Sequence, residues 1–150
     1  MVNGEQIPTV KHVDELLGEL RAFTALALRS KGEHQSPAAA ATDPARAMIL
    51  PFLRLQSQFA NKRGPYGYFV FDGFTDPTYP IRTVNINPGD EVVLASDGYP
   101  LLRPSLAQSE RELRRLNRED PELISEYQST KGFTPGNDSF DDRTYLRFIA

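Results

Sequence analysis

Residues 88–98 read Pro88-Gly89-Asp90-Glu91-Val92-Val93-Leu94-Ala95-Ser96-Asp97-Gly98. With Asn87 in front, the stretch opens on a strong turn, because Pro fixes one φ and Gly supplies the other. Glu91 to Ser96 is then almost continuously apolar, the pattern of a strand buried on both faces. It stops at Asp97-Gly98, so a carboxylate stands where an interior strand emerges. Gly98 permits a sharp exit and leaves space beside that carboxylate. Downstream, a helix is predicted from about Ser105 to Glu119 with Leu106, Leu113 and Leu116 as core positions. Asp120-Pro121 opens a shorter helix carrying Leu123, Ile124 and Tyr127. Thr130 to Asp138 is a Gly/Pro/Asn-rich loop, and Arg143 to Ile149 is a last strand.

Upstream, Ile81 to Ile86 alternates as a strand, and Tyr66 to Phe71 is a β-rich aromatic run. Asp72-Gly73, Pro77 and Pro80 turn the chain between them. From Val10 to about Ser30 the spacing is helical. Val13, Leu16, Leu17, Leu20, Thr24 and Ala27 form one stripe, widened by Phe23, Leu26 and Leu28. Residues 31–41 form a low-complexity segment broken by Gly32 and Pro37, expected to be a flexible loop. Thr42-Asp43-Pro44 signals a helix start, followed by Ala47, Leu50, Phe52, Leu53 and Phe59, with Pro51 expected to kink or interrupt the run. Asn3-Gly4 favours the positive φ angles of a tight hairpin, yet only Met1 and Val2 precede it. That stub is expected to be the end of a hairpin begun upstream; a loose terminus is the plainer alternative. The layout is α+β in one unit, with helices over a largely antiparallel sheet.

At 150 residues the chain has room for one ordinary domain. With 39% apolar residues, 9 Phe and 6 Tyr, it is too aromatic for a disordered tail. A formal charge of −3 argues against a nucleic-acid partner bound through a large basic field. The helix near 105–119 interleaves Arg111, Arg114, Arg115 and Arg118 with Glu110, Glu112 and Glu119, which reads as a self-pairing solvated face. Apolar runs are short, so no membrane span is expected, and Met1 is followed by polar residues where a secretory signal would be basic and then apolar. The expectation is a soluble, cytoplasmic protein. The absence of Cys removes disulfides, thiolate zinc sites and cysteine nucleophiles.

Asp141 and Asp142 stand just before the last strand, after a loop that also holds Asp138. If that strand neighbours Glu91–Ser96 in the sheet, Asp97 and one of this pair converge at one edge. Carboxylates placed together repel, and a divalent cation offsets the repulsion. Oxygen ligands without Cys or a suitable His point to Mg²⁺ or Mn²⁺. Taken singly, each motif is an everyday feature: Asp-Gly is a common turn, and Asp-Asp before a strand is commonly a solvated cap.

The segment Pro88 to Gly98 resembles the "GD-x-hydrophobic-x-L-x-SDG" stretch of the metal-dependent protein phosphatases, the protein phosphatase 2C family. Asn137-Asp138-Ser139-Phe140-Asp141-Asp142-Arg143-Thr144 resembles that family's closing motif, an Asp followed by Asp or Asn and then a strand with Thr or Ser. The likeness covers roughly Asn85 to Phe148. It implies a four-layer α-β-β-α sandwich with largely antiparallel sheets, of which 1–150 is the C-terminal portion. It implies that Asp97 and Asp141 ligate one metal, with Asp142 and Gly98 in support. In such a site two metals, Mg²⁺ or Mn²⁺, activate a water for in-line attack on the phosphorus of a phosphorylated protein. The resemblance assigns no catalytic residue and no phosphate-binding residue here; Arg143 is a candidate for phosphate only by charge, an outward-facing strand residue being the plainer reading.

The family's metal-bridging Asp-Gly, basic phosphate-binding residue and proton-donating His have no matching positions. Asp72-Gly73 comes too late in the chain and reads as a loop; His12 and His34 read as solvated. The expected function is therefore a serine/threonine phosphatase present as an incomplete chain whose N-terminal half lies elsewhere. The alternative is a pseudophosphatase or interaction module of the same fold, with Phe74 to Pro80 as a docking loop or simply a proline-stiffened turn. A nucleotide-binding protein has less support, because no Gly-rich phosphate loop is present.

Overall fold

A computed structural model of the chain describes residues 1–7, 11–31, 43–73 and 78–150. Helices and one small antiparallel sheet give an α+β arrangement. The elements are α1 (His12–Ser30), α2 (Pro44–Leu55) continued by a 3₁₀ turn (Gln56–Phe59), β1 (Glu91–Ala95), α3 (Leu106–Glu119) and β2 (Tyr145–Ile149). They gather into two compact units. Described residues of Met1–Thr9, Val84–Tyr127 and Gly132–Ala150 form one, and those of Val10–Thr83 and Gln128–Lys131 form the other. No helix among the described residues is long and apolar enough to cross a membrane. The expected loop at 31–41 lies outside the described residues except for Lys31.

In the second unit, α1 buries Val13, Leu17 and Thr24 of the expected stripe together with Ala22 and Ala25, whereas Leu16, Phe23 and Leu26, expected on the buried face, are exposed. Asp14 and Glu15 in its first turn and Arg29 in its last complement the helix dipole. Gly18 is needed for space: a Cβ there would stand 2.7 Å from the Gln128 carbonyl oxygen. Asp43 caps α2 by accepting the Arg46 N–H at 2.8 Å, with Pro44 in the first turn. Its other oxygen receives Nε and Nη2 of Arg21 at 2.7 and 2.6 Å, and Arg21 Nη1 donates to the Ser129 carbonyl at 3.1 Å. One carboxylate thus starts α2 and balances a guanidinium that is 2% exposed. Asp43→Ala removes the cap and leaves a buried cation short of its counter-charge. Because Asp43 is itself partly solvated, the expected loss is about 2 kcal/mol, below the full cost of breaking a fully buried pair. Chemical denaturation of the variant checks it; a loss under half that value contradicts the shared role.

Several expectations are corrected. Pro51 does not interrupt α2, which runs unbroken through it. The carbonyl deprived of a partner is that of Ala47, which is exposed and open to water. Tyr66–Phe71 is not a regular strand: Tyr68 forms a single parallel bridge with Ala60. Ile81–Ile86 forms no strand among the described residues and is exposed throughout. Alternation prepares a strand, but a strand also needs a neighbour in register to satisfy its backbone, and neither segment joins the sheet formed among the described residues.

In the first unit β1 has neighbours on both sides. β2 pairs with it antiparallel from Glu91↔Ile149 to Ala95↔Tyr145. On the opposite edge, Val2 bridges Val92, the Val93 N–H donates to the Met1 carbonyl at 3.0 Å, and the Asn3 N–H donates to the Glu91 carbonyl at 2.8 Å. The Asn3-Gly4 turn forms as expected, with φ of 48° and 82° and mutual Val2–Glu5 backbone bonds. Asn3 also fastens this ribbon with its side chain, accepting from the Glu91 N–H at 2.9 Å and donating to Asp90 at 2.8 Å. The core comprises Val92, Val93, Tyr99, Leu113, Leu116, Leu123 and Ile124. By register, Leu94, Leu146 and Phe148 share a face of the ladder with Val92, yet remain 54%, 52% and 39% exposed while Val92 is buried, so the expected burial of β1 on both faces holds for only part of its length.

α3 starts at Ser105, whose hydroxyl accepts the Gln108 N–H at 3.3 Å. Its charges pair partly among themselves, as expected: Arg115 reaches Glu112 at 3.1 Å and Glu119 at 2.6 Å, and it also reaches Glu126, beyond the helix, at 2.5 Å. The helix expected after Asp120-Pro121 is absent. Asp120, 6% exposed, ends α3 and turns its carboxylate onto the Ile124, Ser125 and Glu126 N–H groups at 3.1, 2.9 and 2.9 Å. Leu123 at φ 51° breaks helical continuity, although it and Ile124 are buried as the apolar pattern requires.

Two carboxylates at the ribbon are held below their ordinary range: Asp90 by the Asn87 backbone N–H and then the Asn3 amide, Glu91 by its hydrogen bond with Arg147. Folded values below unfolded ones mean that their contribution is complete above the unfolded carboxylate range and fades as pH falls through the folded values. Amide exchange at Asn3 and Val93 is therefore expected to quicken below about pH 4. Constant relative protection on descending to pH 3, after correction for intrinsic exchange, contradicts this.

Candidate functional site

The condition on which the two acidic strand ends depended is met: β1 and β2 are neighbours. Past the last ladder pair, the Ser96 N–H donates to the Thr144 carbonyl at 3.1 Å. The Ser96 carbonyl is taken by the Tyr99 N–H at 3.2 Å, closing a four-residue turn with Asp97 and Gly98 at its centre. Gly98 is buried, and a Cβ there would lie 2.3 Å from the Asp142 carbonyl oxygen and 3.0 Å from the Arg143 Cβ. Its φ is not positive, so the glycine serves close approach and not an unusual backbone angle. The turn carrying Asp97 is pressed onto the loop carrying Asp141 and Asp142.

Asp97 is exposed, and its carboxylate makes no hydrogen bond or ion pair among the described residues. Asp141 is half-buried; its Oδ1 accepts the Asp142 N–H at 2.9 Å, and its carbonyl accepts the Ser139 hydroxyl at 2.7 Å. Asp142 is exposed. No group of three or more potential metal ligands occurs among the described residues. The donor chemistry nevertheless suits Mg²⁺ or Mn²⁺, since Mg²⁺ is held through one or two carboxylates while keeping several waters. The close seat of Gly98, which a Cβ would fill, brings the turn that carries Asp97 against the backbone of Asp142.

Arg143 braces this loop. Its Nε lies 3.5 Å from Glu110 on α3, and its Nη1 donates to the Asp138 carbonyl at 3.3 Å. The same Glu110 oxygen accepts the Tyr99 hydroxyl at 2.7 Å. Tyr99, absent from the sequence-based candidates, is 7% exposed and stands edge-on to Tyr145 with ring centroids 6.0 Å apart. Its only sequence signal is an aromatic residue directly after Asp-Gly. Burial, and then the Glu110 bond, push its hydroxyl up to about 12. A raised folded value means a contribution complete below the unfolded pKa and lost as pH rises through the folded one. Tyr99→Phe is expected to cost about 1 kcal/mol at neutral pH, read from denaturant midpoints; an unchanged midpoint contradicts the bond's contribution.

The remaining candidates lie apart from this turn in sequence or role. Asp72 is an exposed loop residue whose carboxylate accepts the Asn61 side-chain amide at 2.9 Å, and Gly73 adopts φ 80°. His12 is exposed on α1, 3.2 Å from the Glu15 carboxylate. His34 and Phe74–Pro77 lie outside the described residues. No protein-family model matches the chain, nor does any curated protein or solved structure.

Proposed function

We propose that this chain supplies Asp97 and Asp141 to the metal centre of a metal-dependent serine/threonine protein phosphatase. The observation that carries it is the contact of Gly98 with Asp142, which joins two motifs far apart in sequence at one end of a ladder. On this reading Asp97 and Asp141 hold Mg²⁺ or Mn²⁺, and the metal supplies an activated water for attack on a phosphorylated protein. Asp142 and Gly98 keep the two ligands in place, while Arg143 is committed to Glu110 and braces the loop. The bridging Asp-Gly and the His of the family are then supplied by polypeptide outside this sequence. The half-exposed Leu94, Leu146 and Phe148 support that arrangement, because a sheet face that leaves three large apolar side chains incompletely covered is suited to stacking on a second sheet, as in a four-layer sandwich. The cytoplasm is the proposed compartment.

A catalytically inactive module of the same fold is the second reading, favoured by the absence of any group of three or more potential metal ligands among the described residues. Mn²⁺-dependent hydrolysis of p-nitrophenyl phosphate separates the two, assayed with the polypeptide that supplies the N-terminal strand present. Turnover that requires the metal supports the enzyme. Saturable Mn²⁺ binding without turnover supports the inactive module, and neither binding nor turnover removes the metal assignment.

A further inference from the structure

We infer that Ser96 is a positioning residue that sets the Asp97 turn against the Asp141–Asp142 loop; the inference rests on the metal-carboxylate reading above. In a regular antiparallel ladder the Thr144 N–H would donate to the Ser96 carbonyl. Here that carbonyl is already engaged by the Tyr99 N–H, because the chain must turn sharply to present Asp97. The Ser96 hydroxyl takes over the vacant role. It accepts the Thr144 N–H at 3.0 Å and donates to the Asp142 carbonyl at 3.3 Å. One side chain therefore stitches the turn to two backbone groups just past Asp141, while Gly98 closes the remaining gap.

Ser96→Ala would lack this stitch: Asp97 would keep its place in sequence, but the distance of its turn from the Asp141–Asp142 loop would no longer be fixed by a side chain. Divalent metals are sensitive to that distance, because a ligand that must be reoriented binds with lower affinity, and partners behind the ligands typically control affinity by 10–100-fold. Ser96 reaches the acidic loop through two backbone groups, the Thr144 N–H and the Asp142 carbonyl.

The test compares Ser96→Thr with Ser96→Val in the full chain. The two replacements have nearly the same shape and both suit a strand end, but only one retains a hydroxyl. Mn²⁺ affinity is read from the electron paramagnetic resonance of the free ion, and the fold from dispersed amide spectra. Ser96→Thr is expected to bind Mn²⁺ as the parent does, and Ser96→Val about tenfold more weakly with its spectrum still dispersed. Equal affinity in the two variants overturns the inference, as does equal weakening. Asp97→Asn in the same titration separates the two levels. If it weakens binding while Ser96→Val does not, only the role of Ser96 fails; if the parent chain and Asp97→Asn bind alike, or neither binds, the metal assignment fails and takes this inference with it.

Discussion

Asp97→Asn is expected to abolish Mn²⁺-dependent phosphate ester hydrolysis in the protein assembled with its N-terminal strand, while leaving the fold intact. The carboxylate is exposed and free of intramolecular bonds among the described residues, so replacing it by an amide of the same shape disturbs no described contact. What changes is charge. An anionic oxygen donor becomes a neutral one, and a hard divalent ion loses part of the attraction that offsets its own dehydration. A ligand should matter at least as much as the groups behind it, so a fall of about 100-fold or more in kcat/KM is expected. The measurement pairs that rate with a thermal midpoint. An unchanged rate removes Asp97 as an essential ligand, and a lost rate accompanied by a lost fold would show a structural role.

Gly98→Ala is expected to have the largest effect on stability. The added methyl would stand 2.3 Å from the Asp142 carbonyl oxygen, far inside contact distance, and the group it meets is backbone. Backbone cannot swing aside as a flexible side chain can, so either the turn or the approach to β2 must shift. Overpacking at such a position costs about 3 kcal/mol, at the upper end of the usual range because neither segment has slack. The Ser96 stitch and the Ser96–Thr144 backbone bond hold one side, and the Arg143–Glu110 pair holds the other. Denaturant unfolding checks the value. A variant as stable as the parent would show that the two segments are not in contact. Gly98 is a clearer test of this contact than Asp97, because its effect needs no metal.

Much of the local structure was legible in residue order. Asp43-Pro44 marks the start of α2, Asn3-Gly4 makes its turn, Ser105 begins α3, and the apolar run after Glu91 is β1. Those features depend on φ preferences, caps and burial patterns that act within a few residues. Strands at 66–71 and 81–86 were indicated by the same patterns and did not form, since pairing depends on what lies alongside. The helix after Asp120 failed for a related reason: its carboxylate gathers three N–H groups into a turn, and Leu123 adopts a left-handed angle inside the core.

The candidate site divides in the same way. Asp97, Gly98, Asp141 and Asp142 could be picked out as acidic strand ends and a small residue, because charge beside a buried strand demands a reason wherever it occurs. The approach of the Asp97-Gly98 turn to the backbone of Asp142 could not, since nothing in the order of residues says that β1 and β2 adjoin. Tertiary structure alone decided that, and with it the reasons for Gly98, Ser96 and Tyr99: a carbonyl that leaves no room for a methyl, an N–H deprived of its ladder partner, and a buried hydroxyl facing Glu110. Sequence by itself determined which segments could turn, coil or extend; the pairing of distant backbones determined which of them had to.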